Sequence, residues 1–305
     1  MQLALLLVMM GTGIFFGSLV SELIKKAWLL LQPSAGVKLT DLKNNVQYLR
    51  VLQVAGTFFT FILPAYVFTW LVFGKPANRN LGFSTIISGK QMFLVVLMFI
   101  ASLLVSGSLE LITQKIPLPK NLETTFRHWE DEYDKGANAL ATMRSNAEYA
   151  IALFILALLP AIAEEMVFRA CLQKVLINIT RNATAGIIIA SILFSLMHGS
   201  YYGFFVRVFL GCLLGYIYYY GKNIWLNIAL HFLNNAFIVT EMYSVARNGG
   251  ISPDTSAGKN IPLFSFVFMG LAAAAGIVYL FRMYKMESEY VISMHRLDDI
   301  DENEQ

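Results

Sequence analysis

The chain has 305 residues, of which 57% are apolar and only 14% charged, and its net charge is +3. An ordinary soluble domain carries about 25% charged residues, and the mean hydropathy here is +0.59. These values exclude a disordered chain and argue against a soluble enzyme, and so small and scattered a charge argues against a nucleic-acid surface. Cys171 and Cys212 both sit in apolar stretches and form neither a disulfide framework nor a zinc knuckle.

A helix needs about 20 apolar residues to cross the hydrocarbon layer. In chain order the predicted spans run from Leu3 to Ile24, Val51 to Phe73, Met92 to Ile112, Tyr149 to Leu176, Thr184 to Met197, Phe204 to Tyr220, Ile224 to Tyr243 and Leu263 to Tyr284. The fifth is short. These runs exceed strands of about 5–6 residues and lack the alternation of a membrane barrel. The expected fold is therefore all-α: a polytopic membrane protein with about eight transmembrane helices bundled around an intramembrane polar cavity. The first run is longer than a signal-peptide core of about 7–15 residues and reads as a span rather than a cleaved leader.

Between the third and fourth spans, residues Lys115 to Asn146 carry Pro117, Pro119 and an acidic run, Glu130-Asp131-Glu132-Tyr133-Asp134. This segment reads as a solvated loop or surface amphipathic helix, with a lid or substrate-docking element as the sharper alternative. The tail after Lys285 is polar and acidic and is expected to be disordered. Lys and Arg divide almost evenly between the two sides of the bundle, so the positive-inside rule gives no orientation. Gly13 and Gly17, and Gly211 and Gly215, have the spacing that lets helices approach closely. Trp225 and Tyr218 to Tyr220 read as an interfacial aromatic belt, and Arg207 as a snorkelling cation or a binder of a substrate carboxylate.

An ionisable side chain inside a span costs at least about 2.5–3.5 kcal/mol, so it has a partner or a task. Three clusters meet this test. In Glu164-Glu165-Met166-Val167-Phe168-Arg169, Glu165 and Arg169 share a helix face and can pair. Glu164 points about 100° away and lacks that partner, which suits it to carry a proton in catalysis. Pro160, one turn earlier, removes a backbone hydrogen bond and would kink the helix beside a cavity. The second cluster ends the fifth span at Phe194-Ser195-Leu196-Met197-His198. In the third, Asn227, His231 and Asn235 stack on one face of the seventh span, with Asn234 beside them. Glu164, His198 and His231 come from different helices, as sites in helical bundles do. Such a set can activate water and stabilise an oxyanion, or it can hold zinc through Glu164, His198 and His231. Both routes lead to hydrolysis of an acyl compound, most naturally a peptide.

Taken in order, Glu164-Glu165-x-x-x-Arg169, Phe194-x-x-x-His198 and His231-x-x-x-Asn235 resemble the CPBP family of intramembrane proteases. That family includes the CAAX prenyl proteases and the Abi or bacteriocin-processing proteins. The resemblance implies that Glu164 and His198 activate the attacking water and that His231 and Asn235 form the oxyanion hole. Glu165 and Arg169 would support the site. It also implies a glutamate-dependent mechanism with no cofactor, zinc being the alternative. The substrate would be a membrane-anchored peptide or protein, prenylated or not, and the location a cell or inner membrane. On this reading residues 1–146 are three spans and a polar loop, 147–245 the catalytic helical core, and 246–305 the last span and the tail. A proton-coupled transporter and a non-catalytic scaffold or immunity protein remain alternatives from other classes. The transporter reading lacks a paired repeat of broken spans.

Overall fold

The computed structural model of the chain describes residues 1–31, 42, 45–84, 86–247 and 263–303, and among these the regular structure is helical. In chain order the helices are α1 (Gln2–Leu31), α2 (Val46–Phe73), α3 (Ala77–Leu81), α4 (Gly89–Lys115), α5 (Lys120–Leu140), α6 (Asn146–Thr180), α7 (Ala183–Leu196), α8 (Phe204–Gly221), α9 (Ile224–Arg247) and α10 (Leu263–Asn303). Lys38, Lys43 and Lys259, which enter the charge comparison, lie outside the described residues, as does Glu304 of the tail.

Six helices are long and apolar enough to cross a membrane: α1, α2, α4, α6, α8 and α10. The chain is an integral, multi-pass helical membrane protein. Two of the eight expected spans do not meet the same standard. Helix α7 is apolar but only 14 residues long. Helix α9 has 24 residues, but Asn227, His231, Asn234 and Asn235 interrupt its apolar run.

Side chains at the helix ends explain several boundaries. Ser88 Oγ accepts from the N–H groups of Lys90 and Gln91, and Gln91 reciprocates on the Ser88 N–H, so α4 starts with a full capping box. Asn182 Oδ1 accepts from Ala185 N at 3.0 Å and starts α7 directly after α6. Helix α6 is not uniformly α-helical. It widens to π-helical turns at Leu153–Leu158 and Met166–Gln173. The Leu159 N–H donates to Phe154 O, five residues back. The wide turn thus leads straight into Pro160, which has no N–H to donate. Such turns re-aim side chains without breaking the helix.

Helix α6 sits at the centre. Ala161, Phe168, Ala170, Cys171 and Val175 are buried in a core with Leu6, Phe68 and Ile228. Helix α8 packs on α7 through its glycines. A Cβ on Gly211 would lie 2.8 Å from Ser191 Cβ, and one on Gly215 would lie 2.6 Å from Ile187 Cγ2. Gly13 and Gly17 face α2 in the same way, so both glycine pairs serve packing within the bundle.

Two expectations are corrected. The segment after Lys285 continues α10 as helix to Asn303. It is tied to the start of α4: Glu287 accepts from Ser88 Oγ at 2.6 Å and pairs with Lys90 at 2.9 Å, and Gln91 Nε2 donates to Ser288 Oγ at 3.0 Å. Tyr218 is not part of an interfacial belt. It is buried and donates to Leu81 O at 3.1 Å, whereas Trp225 remains exposed and packs edge-on against Phe83.

Candidate active site

The site is built on α6, α9 and the turn after α7. Glu165 and Arg169 are completely buried and paired, with Arg169 Nε 3.0 Å from Glu165 Oε2. Asn227 Nδ2, from α9, donates to the same oxygen at 3.2 Å and to Leu214 O at 2.6 Å. One turn along α9, His231 Nδ1 lies 2.9 Å from Glu165 Oε1. Both oxygens of Glu165 are therefore used by donors, and a buried carboxylate needs that many. The i, i+4 spacing on each helix makes this possible, because it stacks Glu165 over Arg169 and Asn227 under His231.

Glu164 has a different environment. Its side chain is 20% exposed and lines a cavity. Its only ion-pair contact among the described residues is with His231 Nε2, 3.6 Å from Oε2. His231 therefore stands between two adjacent carboxylates, close to one and looser on the other. Since an ionised carboxylate only accepts, His231 Nδ1 carries the proton in its bond to Glu165. Its Nε2 faces Glu164.

His198 occupies the turn after α7. Its Nδ1 is 2.9 Å from Phe194 O, so Nδ1 is again the protonated nitrogen and Nε2 is left as an acceptor. Phe194 is the hub of this side of the site. Its ring lies edge-to-face with His198 at 4.8 Å, with His231 at 6.0 Å and with Phe168 at 5.0 Å. Arg169 Cζ sits 5.5 Å from the same ring. The Arg169 Nη1 and Nη2 atoms have no hydrogen-bond partner among the described residues, and the ring face offers the guanidinium a cation–π contact instead.

Glu164, His198, His231, Asn234 and Asn235 line one cavity of about 710 Å³. Pro160 and Arg207 also line it, so Arg207 belongs to the cavity wall. All four residues assigned to catalysis by the resemblance are gathered here, and Glu165 and Arg169 lie directly behind them. Among the described residues no three His, Cys, Asp or Glu side chains are grouped to hold a metal ion.

Several contributors are absent from the expected site. The sequence places Asn227 on the polar face of α9 but does not mark it as a donor to Glu165. Glu110, Glu130 and Glu241 also line the cavity. Glu110 and Glu241 fall inside apolar runs, and that alone is the available signal. Phe194 is visible only as a motif position, because ring contacts depend on packing.

Residues 146–237 match the family model described as Type II CAAX prenyl endopeptidase Rce1-like. The match contains all three motifs and most of the helices that build the cavity. This stretch of a multi-pass membrane protein is thus similar to a CAAX prenyl endopeptidase domain. No curated protein and no solved structure matches the chain.

Proposed function

We propose that this protein is an intramembrane endopeptidase that hydrolyses a peptide bond of a membrane-associated substrate with a glutamate-activated water and no metal. The observation that carries this reading is the unequal setting of two neighbouring carboxylates. Glu165 is saturated by Arg169, Asn227 and His231, whereas Glu164 opens on the cavity with a looser contact to His231. The first is equipped to hold geometry and the second to exchange a proton.

In the proposed reaction a water in the cavity gives a proton to Glu164, and His198 Nε2 accepts a hydrogen bond from the same water and orients it. The hydroxide attacks the scissile carbonyl. The oxyanion takes hydrogen bonds from Asn235 and, with its Nε2 also protonated, from His231. The C–N bond then breaks as Glu164 returns its proton to the leaving amine, and the products are one carboxylic acid and one amine. A membrane-anchored peptide, prenylated or not, suits a cavity set within a bundle of spans.

The test is proteolysis by purified protein in liposomes against membrane-anchored peptides, some of them prenylated. Wild type is compared with Glu164→Ala, His198→Ala and a sample treated with a zinc chelator. Cleavage should vanish in Glu164→Ala, fall by about 10²–10⁴ in His198→Ala, and survive the chelator. Cleavage lost with chelator and restored by zinc would replace this mechanism with a metal site. A wild type that cleaves no peptide would sink the hydrolase reading.

A further inference from the structure

Helix α5, the acidic segment between α4 and α6, is held against the site at several points. Along it Glu123, Phe126, Glu130, Ala137 and Leu140 are less exposed than most of their neighbours, and this spacing puts them on one stripe of the helix. Two of them, Glu130 and Ala137, line the catalytic cavity. At its C-terminal end α5 is tied to α2, where the buried Arg50 donates from Nη2 to Leu140 O at 3.4 Å and Thr142 O at 2.9 Å.

Its other contacts converge on residues 198–203, the turn that carries His198. Phe126 stacks on Tyr201 with ring centres 4.5 Å apart and planes 5° from parallel. Arg127 lies over the Tyr202 ring at 5.9 Å. At the centre of the turn Ser200 is buried, and its Oγ lies 2.8 and 3.0 Å from the two oxygens of Glu130. The same Oγ accepts from Gly203 N–H at 3.2 Å. A relay therefore runs from the Gly203 N–H through the Ser200 hydroxyl to the Glu130 carboxylate.

The relay adds a side-chain tie to a turn held otherwise by short-range bonds: the His198 N–H donates to Ser195 O at 3.2 Å, the Gly199 N–H to Leu196 O at 3.1 Å, and Arg207 Nη1 lies 3.5 Å from Ser200 O. His198 is anchored on its N-terminal side by α7, through Nδ1 to Phe194 O. The next residue, Gly199, has a φ of +62° and touches nothing that a Cβ would meet, so it gives the chain freedom rather than support. Ser200 is the first buried residue after it. An exposed glycine between His198 and α8 leaves the turn free to shift, and Glu130 is the carboxylate that ties it to a neighbouring helix, α5.

We infer that Glu130 is a positioning residue for the reaction: it holds the His198 turn through Ser200, and α5 is the element that delivers it. The inference rests on the proposed role of His198. Glu130 is the member of the acidic run that reaches Ser200, and a carboxylate accepts from a hydroxyl more strongly than a neutral oxygen does.

The test uses full-length protein in liposomes and a membrane-anchored peptide. Glu130→Ala should lower kcat about tenfold, the order expected for loss of one charge-assisted hydrogen bond, with KM changed by less than about twofold. Glu130→Gln keeps a side-chain oxygen for Ser200 and should restore most of kcat. In a His198→Ala background, Glu130→Ala should cause no further loss, because its effect passes through that imidazole. An equal loss with and without His198, or no loss at all, would overturn the inference. Hydrogen exchange of the Gly199–Gly203 amides gives a second readout that needs no cleavage. It should quicken in Glu130→Ala, and unchanged exchange would overturn the inference. An inactive wild type whose turn still loosens in Glu130→Ala would defeat the hydrolase reading while supporting the Glu130 link.

Discussion

The Glu165 network makes an asymmetric prediction about stability. Removing Glu165 and removing Arg169 both break the same fully buried ion pair, 3.0 Å long. Breaking such a pair by deleting one partner costs about 3–5 kcal/mol, mainly because a charge is left buried. The two deletions nevertheless leave different remainders. In Arg169→Ala the Glu165 carboxylate keeps two donors, Asn227 Nδ2 at 3.2 Å and His231 Nδ1 at 2.9 Å. The cost should therefore sit at or below the lower bound, about 3 kcal/mol. In Glu165→Ala the Arg169 guanidinium keeps no hydrogen bond, since Nη1 and Nη2 have none among the described residues and Nε loses its one. His231 Nδ1 also loses its acceptor, at about 1–3 kcal/mol for an unsatisfied buried donor. Asn227 Nδ2 is spared because Leu214 O still accepts from it at 2.6 Å. Glu165→Ala should thus cost more than Arg169→Ala by about 1 kcal/mol or more. Equilibrium unfolding of the purified variants in mixed detergent micelles measures the difference. Equal costs, or a larger loss in Arg169→Ala, would refute the view that Glu165 is the organising group.

Two further outcomes follow from the same geometry. Asn235→Ala should reduce kcat by about 10²–10³, the usual cost of one oxyanion donor, with stability little changed because Asn235 stands in the cavity wall; steady-state cleavage beside thermal unfolding checks both. Gly215→Ala should destabilise by about 1–3 kcal/mol through overpacking, since its Cβ would lie 2.6 Å from Ile187 Cγ2 and 2.8 Å from Gln173 Oε1; an unchanged unfolding midpoint would show that α7 and α8 can separate freely.

What the sequence discloses follows the range of the physics involved. Hydropathy is a local property, so the long spans can be read directly, and the i, i+4 spacing by itself puts Glu165 beside Arg169. The exact number of spans cannot be read in this way. Helix α7 is short, and α9 exchanges apolar residues for the Asn and His side chains that face α6. The contact between His231 and Glu165 joins residues 66 positions apart, and no periodicity within one helix announces it. The same limit hides the docking of α5. Its amphipathic character is legible, but the stacking of Phe126 on Tyr201 depends on where the turn after α7 lies. The expectation of a disordered tail fails for a related reason. Composition measures its polarity, whereas Glu287 and Ser288 find partners on Ser88, Lys90 and Gln91.

Adjacent residues on one helix, chemically identical, end in opposite settings here, and the cause is geometric. A step of about 100° per residue carries Glu165 toward α9 and the interior, and leaves Glu164 facing the cavity. Arg169, one turn on, fixes which of the two becomes structural. The π-helical turn begins at Met166, directly after the pair, and so shifts the later side chains by a residue without moving either carboxylate. A one-residue insertion ahead of Glu164 would rotate both by about 100°, carrying Glu164 onto the interior face and Glu165 off it. The motif therefore has to be a contiguous Glu-Glu with Arg four residues beyond the second. With that spacing the buried charge is neutralised by the helix itself, and a second carboxylate can face the cavity beside it.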